Sequence, residues 1–254
     1  LSDDGVKSAR RVFEILEHFA ARQRALSVVD VARRLGYPQS SASALMRTMT
    51  ELGYLHYDAG ARTYQPTARL PLLVGWIGQR LFREGRVVEV MNELSQATGE
   101  TIILGAENGL QVRYIHVIEA TGPLRLHSVA GSLRPYTRSA IGLALLGTHD
   151  DRQVGRIVRR LNSEEPDPAR HVRLPELLAR LAEIRMQGYA LSTGGIVKGG
   201  GALAMVLPEQ VNGTPLAVAI AGAEASVLAN RDGWVAIMRE AIGRSFTDAA
   251  AAPL

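Results

Sequence analysis

The sequence predicts an α+β chain of two unequal domains, on three observations. Residues 27–66 read as helix, glycine turn, helix and short hairpin, in that order. An apolar stretch, residues 67–80, follows and reads as a helix linking two parts. From Glu100 onward, strand-like apolar runs alternate with helix-like segments, the pattern of an α+β domain. The expected division is 1–66, a linker helix over 67–80, and 81–254.

In the first domain, Val12, Ile15, Leu16 and Phe19 fall at i, i+3, i+4, i+7 and predict a first helix with one buried side. Lys7, Arg10 and Arg11 precede or begin it, where they can touch a phosphate backbone. Ser27 precedes the next apolar run and Asp30 sits three residues on, a capping-box spacing with Asp in place of Glu or Gln. Val28, Val31, Ala32 and Leu35 recur at helical spacing, and Gly36 ends the helix, where a left-handed residue is cheap only for glycine. Pro38 suits the first turn of the next helix, which runs to Leu52 and stops at Gly53, with Leu45, Met49 and Leu52 assigned to the core. Gln39, Ser40, Ser41 and Ser43 crowd its N-terminus, and Arg47 lies a turn further on. Short polar groups there let a helix approach a DNA groove and bond to phosphates and base edges. Taken alone, the stretch fits a helical hairpin with a solvated face equally well. The next segment favours DNA reading. Leu55–Asp58, a turn over Ala59-Gly60-Ala61-Arg62, and Thr63–Gln65 closed by Pro66 form a hairpin in the position of a wing, with Arg62 at its tip. The unit is a winged helix-turn-helix, and Lys7, Ser27, Gln39, Ser40, Ser41, Ser43, Arg47 and Arg62 are its candidate DNA-binding residues.

In the second domain, Arg80–Thr98 reads as a helix with Leu81, Val87, Val88, Met91 and Leu94 on its apolar side. Thr101–Leu104 and Val112–Val117 read as strands joined at Glu107-Asn108-Gly109, and Leu124–Val129 as a third. Helices are expected over Ser139–Leu146, Pro175–Met186 and Arg231–Phe246, and buried strands over Ala202–Val206 and Leu216–Ala221. The helices are expected on one face of the sheet. The glycine-rich run Ser192–Gly201 lacks phosphate-loop spacing, so it is read as a wall of a small-molecule pocket or as a plain surface loop.

The chain resembles the IclR family of bacterial transcription regulators. VKSARRVFEILEHF is similar to the family's first helix and LSVVDVARRLGYPQSSASALMRTMTELGYL to its helix-turn-helix. TGETIILGAENGLQVRYIHVIE, RPYTRSAIGLALLG and GYALSTGGIVKGGGALAMVLPE are similar to successive motifs of its effector-binding domain, so the likeness covers nearly the whole chain. One departure is Ala44, where family members often carry a basic residue. The resemblance implies a GAF-like α+β effector domain, a homodimer or dimer of dimers covering the apolar linker, a palindromic DNA operator, and a cytoplasmic site of action. It also implies an effector pocket. The backbone amides of Ser139, Ala140 and Ile141 align with those holding an acid effector at a helix start. Ser192 stands where small-acid-binding members have an acidic residue, Ala202 where a cysteine is common, and Ala219 and Ala221 where some have serines. The two strand alanines are two apart and face the same way. With these polar ligands gone, and Leu104, Tyr114, Leu126 and Tyr136 as further lining, a larger, partly aromatic or hydrophobic effector is expected. Ordinary core packing is the alternative for each of these residues.

Other classes find less support. The chain has no cysteine, and its histidines at 18, 56, 116, 127, 149 and 171 show no metal-ligand spacing. There is no G-x-S-x-G elbow, so no catalysis and no cofactor are expected. No run is apolar enough to span a bilayer, and the start LSDDGVKSAR is no signal peptide. The first residue is not methionine, so preceding residues are expected. Net charge is +4, and residues 1–70 hold ten of the 29 basic but seven of the 25 acidic residues, which places most of the surplus on the DNA-reading part. The competing reading is an interaction or sensor module with weak or lost DNA binding.

Overall fold

The computed structural model describes residues 6–72, 85–120, 128–211 and 213–247. The chain divides into two compact units, Leu1–Arg83 and Glu84–Leu254.

The first unit holds α1 (Lys7–Arg22), α2 (Val28–Leu35), α3 (Gln39–Glu51), β1 (Leu55–Asp58) and β2 (Thr63–Pro66). The capping box at α2 forms as its spacing predicts. Ser27 Oγ accepts from the Asp30 amide at 3.2 Å, and the Asp30 carboxylate accepts from the Ser27 amide at 3.0 Å. These bonds hold the Asp30 carboxyl below its usual range. Gly36 closes the helix at φ 69°. Ile15, Phe19, Leu26, Val31, Ala32, Ala42, Met46, Met49 and Leu55 form one core, with Val12, Leu16, Val28, Leu35 and Leu45 packed against it. Two expectations for α3 need correction. Pro38 is the cap residue just before the helix rather than part of its first turn, and Leu52 is 55% exposed. The buried stripe is Ala42, Met46 and Met49, because Leu52 lies past the last helical residue and leaves the core-facing row. The hairpin pairs Asp58 with Thr63, and its turn is tied by Asp58 Oδ1, which accepts from the Gly60 and Ala61 amides at 2.8 and 3.1 Å. Residues 69–72 begin the expected linker helix, and its continuation over 73–80 lies outside the described residues.

The second unit runs α4 (Arg86–Thr98), β3 (Thr101–Asn108), β4 (Gln111–Ile118), β5 (Leu133–Pro135), α5 (Ala140–Leu146), α6 (Asp151–Glu164), α7 (Leu174–Gln187), β6 (Ala190–Thr193), β7 (Gly200–Val211), β8 (Thr214–Ala223) and α8 (Glu224–Thr247). The six strands form one antiparallel sheet in the order β5-β4-β3-β8-β7-β6. Helices lie on both faces, not on one. Ile103, Ala204, Ala217, Ala219 and Ala221 join the core built with α5, α6 and α7. Their alternate neighbours Ile102, Leu104, Leu203, Val218 and Ile220 are equally buried and point to the other face, where α4 and α8 pack. A sheet buried on both sides loses the in–out alternation that would have signalled it. Of the expected third strand, residues 124–127 lie outside the described residues and Ser128 and Val129 are not in a strand. Among the described residues the strand beside β4 is β5, held by three residue pairs. Part of the glycine-rich run is also sheet. Ser192 and Thr193 belong to β6, Gly200 and Gly201 to β7, and the loop is 194–199.

Candidate DNA-reading helix and effector pocket

Helix α3 presents the polar groups that its sequence placed at its start. Gln39, Ser40 and Arg47 are exposed, while Ser41 and Ser43 are half-buried. Among the described residues none bonds to the Arg47 guanidinium, so it is available to an outside acceptor. Arg62 is exposed in the wing turn at φ 53°, a left-handed conformation that a non-glycine residue holds only when its surroundings fix it. Lys7 is exposed at the first position of α1. Arg11, by contrast, lies 4.7 Å over the Tyr37 ring and ties α1 to the α2–α3 turn. The Ser27 hydroxyl is taken up by its cap, accepting from the Asp30 amide and donating to the Asp30 carboxylate at 2.8 Å, so what Ser27 offers DNA is a fixed helix start.

The second unit has a partly open cavity of about 60 Å³ between the sheet, the start of α5 and the 194–199 loop. Ile103, Tyr114, Ser139, Ala140, Ile141, Ala202, Ala219 and Ala221 line it, with Ser192, Ile196 and Val197 on the loop side. Ser139 caps α5: its Oγ accepts from the Gly142 amide at 3.1 Å and donates to the Pro135 carbonyl at 2.9 Å. Ser192 Oγ donates to the Arg138 carbonyl at 2.6 Å, which joins β6 to the turn before α5. Both hydroxyls therefore shape the wall more than they face a ligand. Burial raises the Tyr114 phenol, and the nearby Arg134 charge works against that rise.

Comparison with known proteins matches both units to one family. Residues 8–59 match the family described as "IclR helix-turn-helix domain", and residues 85–245 match "Bacterial transcriptional regulator IclR C-terminal". The chain belongs to the IclR family of bacterial transcription regulators. It is 30% identical over 190 residues to the transcriptional regulator KdgR of Escherichia coli K12, covering 73% of this chain and 70% of KdgR. It is 31% identical over 188 residues to KdgR of Dickeya chrysanthemi, covering 73% of this chain but only 61% of that relative's length. An IclR homologue from Microbacterium hydrocarbonoxydans, solved in complex with 4-hydroxybenzoate, shares the fold at TM-score 0.73. It is 22% identical and covers 97% of this chain and 100% of that one. The relatives are regulators and not enzymes, and among the described residues no helix is long and apolar enough to cross a membrane.

Within this IclR-family fold, the cavity gathers Tyr114, Ser139, Ala140, Ile141, Ser192, Ala202, Ala219 and Ala221, all singled out from the sequence. Leu104 is a correction. It pairs with Val218 and faces away from the Ile103–Ala219 side, because neighbouring strand residues point oppositely. Tyr136 is another. It is buried, but its hydroxyl donates to the Glu107 carboxylate and meets His149 Nε2 at 3.2 Å, away from the cavity lining. Leu126 lies outside the described residues. The glycine-rich run contributes Gly195, Ile196, Val197, Gly200 and Gly201 to the wall, while sequence reasoning missed Ile103, Ser128 and Arg134. Arg134 gave no signal of its own, because β5, whose pairing sets it opposite Val112 on β4, is not legible in the sequence.

The Tyr136 cluster carries its own prediction. His149 Nε2 lies 2.6 Å from Glu107 Oε1. The bond to Glu107 raises His149 above its ordinary 6.5, against the effect of burial. Burial works to raise Glu107, but the bonds from His149 and Tyr136 outweigh it and hold the carboxyl below its ordinary 4.5. Stability from the raised histidine is full below pH 6.5 and is lost as pH climbs through its folded value. Stability from the lowered carboxylate is full above 4.5 and is lost as pH falls through its folded value. The pair thus contributes most between these limits. His149→Gln should lower the melting temperature more at about pH 6 than at about pH 9. Equal losses at both values, followed by circular dichroism, would show that the ion pair contributes nothing.

Proposed function

We propose that this protein is a cytoplasmic, homodimeric regulator that binds a palindromic operator and releases or remodels that grip when a small organic effector enters the second unit. The observation that carries the reading is the partly open, largely apolar cavity between β3, β8, β7 and the start of α5, in a chain whose other unit is a helix-turn-helix. Gln39, Ser40, Ser41, Ser43 and Arg47 on α3 read or position the DNA, with Lys7, the Ser27 helix start and Arg62 on the wing holding the backbone. A two-fold dimer presents two such helices, matching a palindrome. Repression of a catabolic operon is the role that the family likeness supports.

The effector is small and partly hydrophobic. A water needs roughly 10–15 Å³ of such space, so the cavity takes the place of about four to six waters, enough for one ring or a short branched chain. The Microbacterium homologue, alike in fold, is described with a one-ring acid, 4-hydroxybenzoate. Binding acts on DNA only through differential affinity for two arrangements of the reading heads.

The test is a gel shift on DNA from the protein's own upstream region, across a salt series and against random DNA. Specific, salt-sensitive retardation supports the reading. Equal retardation of random DNA contradicts it. In the same assay Arg47→Ala should weaken specific binding by roughly tenfold to a hundredfold, with the circular dichroism melt unchanged. An unchanged operator affinity would remove Arg47 from the interface.

A further inference from the structure

We propose that the second unit carries an anion site separate from the cavity at α5, in the cleft between α6, α7 and the turn before α5, and that its ligand is a phosphate monoester. The proposal does not depend on what the cavity at α5 binds.

The cleft holds about 650 Å³, a size that small-molecule sites commonly take. Four arginines line it: Arg138 from the turn before α5, Arg170 and Arg173 from the 165–173 segment, and Arg180 from α7. Glu165 and Glu176 are the carboxylates of the lining, which leaves a surplus of two positive charges. Both carboxylates already have partners. Glu165 Oε2 lies 3.6 Å from Arg170 Nε, and Glu176 Oε1 lies 3.3 Å from Arg173 Nη1. Arg138 and Arg180 are exposed, and among the described residues neither forms an ion pair. Glu183 acts on Arg180 electrostatically without reaching that distance.

The fold fixes both of these open cations. Arg180 Nη2 donates to the Leu191 carbonyl at 2.7 Å, and the Arg138 carbonyl accepts from Ser192 Oγ at 2.6 Å, so consecutive residues of β6 hold them. The far wall is fixed as well. Asn162 on α6 donates to the Val172 carbonyl at 3.0 Å and accepts from the Val172 amide at 2.8 Å. Leu161, Val172 and Leu177 supply apolar wall beside the charges. A cleft with charges of one sign and low-dielectric walls focuses their field on whatever enters it.

A guanidinium stays charged at every physiological pH, and its planar fork matches phosphate oxygens. Two open guanidinium groups match a ligand group with two charges and several acceptors. A phosphate monoester has about −1.5 to −2 charge at pH 7 and three acceptor oxygens. A lone carboxylate leaves one arginine unanswered. The remaining space and the apolar wall suit the ester's organic body.

The test is calorimetry on the full chain with phenyl phosphate and glucose 6-phosphate, against phenol, glucose and succinate. Both phosphates should bind at least about tenfold more tightly than their neutral parents and than succinate, and more weakly as salt is raised. Arg138→Gln and Arg180→Gln should each weaken both phosphates by about tenfold or more. Arg156→Gln removes the same charge from an exposed position of α6 outside the cleft, and should leave the affinity within about twofold. The proposal is overturned if neither phosphate binds, if the neutral parents or succinate bind as tightly, if Arg138→Gln binds unchanged, or if Arg156→Gln loses as much. The Arg138 side chain makes no bond among the described residues, so Arg138→Gln still reads out the site should Arg180→Gln, which gives up the Leu191 bond, fold poorly.

Discussion

Gly142→Ala should destabilise the effector domain by about 3 kcal/mol or more, although alanine is ordinarily the better helix former by roughly 1 kcal/mol. A methyl on Gly142 would lie 2.1 Å from the Tyr136 carbonyl oxygen and 2.8 Å from Ser139 Oγ. The first neighbour is backbone, so the clash cannot be relieved by turning a side chain. The chain from Tyr136 to Ser139 has to move, and it holds the α5 cap, the Arg138 carbonyl that anchors Ser192, and the Tyr136 bonds to Glu107 and His149. One methyl therefore disturbs both the cavity wall and the half-buried Glu107–His149 pair. For a domain of this size a loss of that order lowers the melting temperature by roughly 6–12 °C. Calorimetry of the full chain should show this shift in the effector domain's transition. A transition within a degree of the parent's would mean that the 136–142 turn is looser than its geometry implies.

Met46→Ala should have the second large effect, in the other unit. Met46 is fully buried in a core that has nine buried members among the described residues. Truncating a large buried side chain to alanine costs about 2–5 kcal/mol. A domain this small starts with little stability to lose, because it buries a smaller share of its surface. Specific DNA retardation should disappear, and limited proteolysis should cut within residues 7–66 while the second unit stays resistant. Full operator affinity with an intact proteolysis pattern would show that the core closes around the lost side chain.

The two units differ in how openly the chain declares them. In the first, each signal is local. The capping pair Ser27 and Asp30, the left-handed Gly36 and the hairpin turn act over three or four residues, so spacing alone carries the helix-turn-helix order and the wing. Its one misplaced core residue, Leu52, sits at a helix end, where the phase of the apolar row fails. In the second unit, strands buried on both faces read as continuous apolar runs. Their approximate positions were visible, but not their ends, nor the short edge strand β5, nor which face each residue takes.

The candidate pocket divides in the same way. The family likeness was enough to bring Ser139, Ala140, Ile141, Ser192, Ala202, Ala219 and Ala221 to attention, because each sits in a recognisable motif. Only the register of β3 against β8 decided that Ile103 faces the cavity and Leu104 does not. Only the packing of the β5–α5 turn turned Tyr136 to Glu107 and His149, and only the pairing of β5 on β4 set Arg134 over Tyr114. Caps, turns and apolar periods are set by neighbours in the chain, so they are written into it directly. The direction of a side chain in a two-sided sheet, and the partner of a buried charge, depend on residues dozens of positions away, and the folded structure alone brings those together.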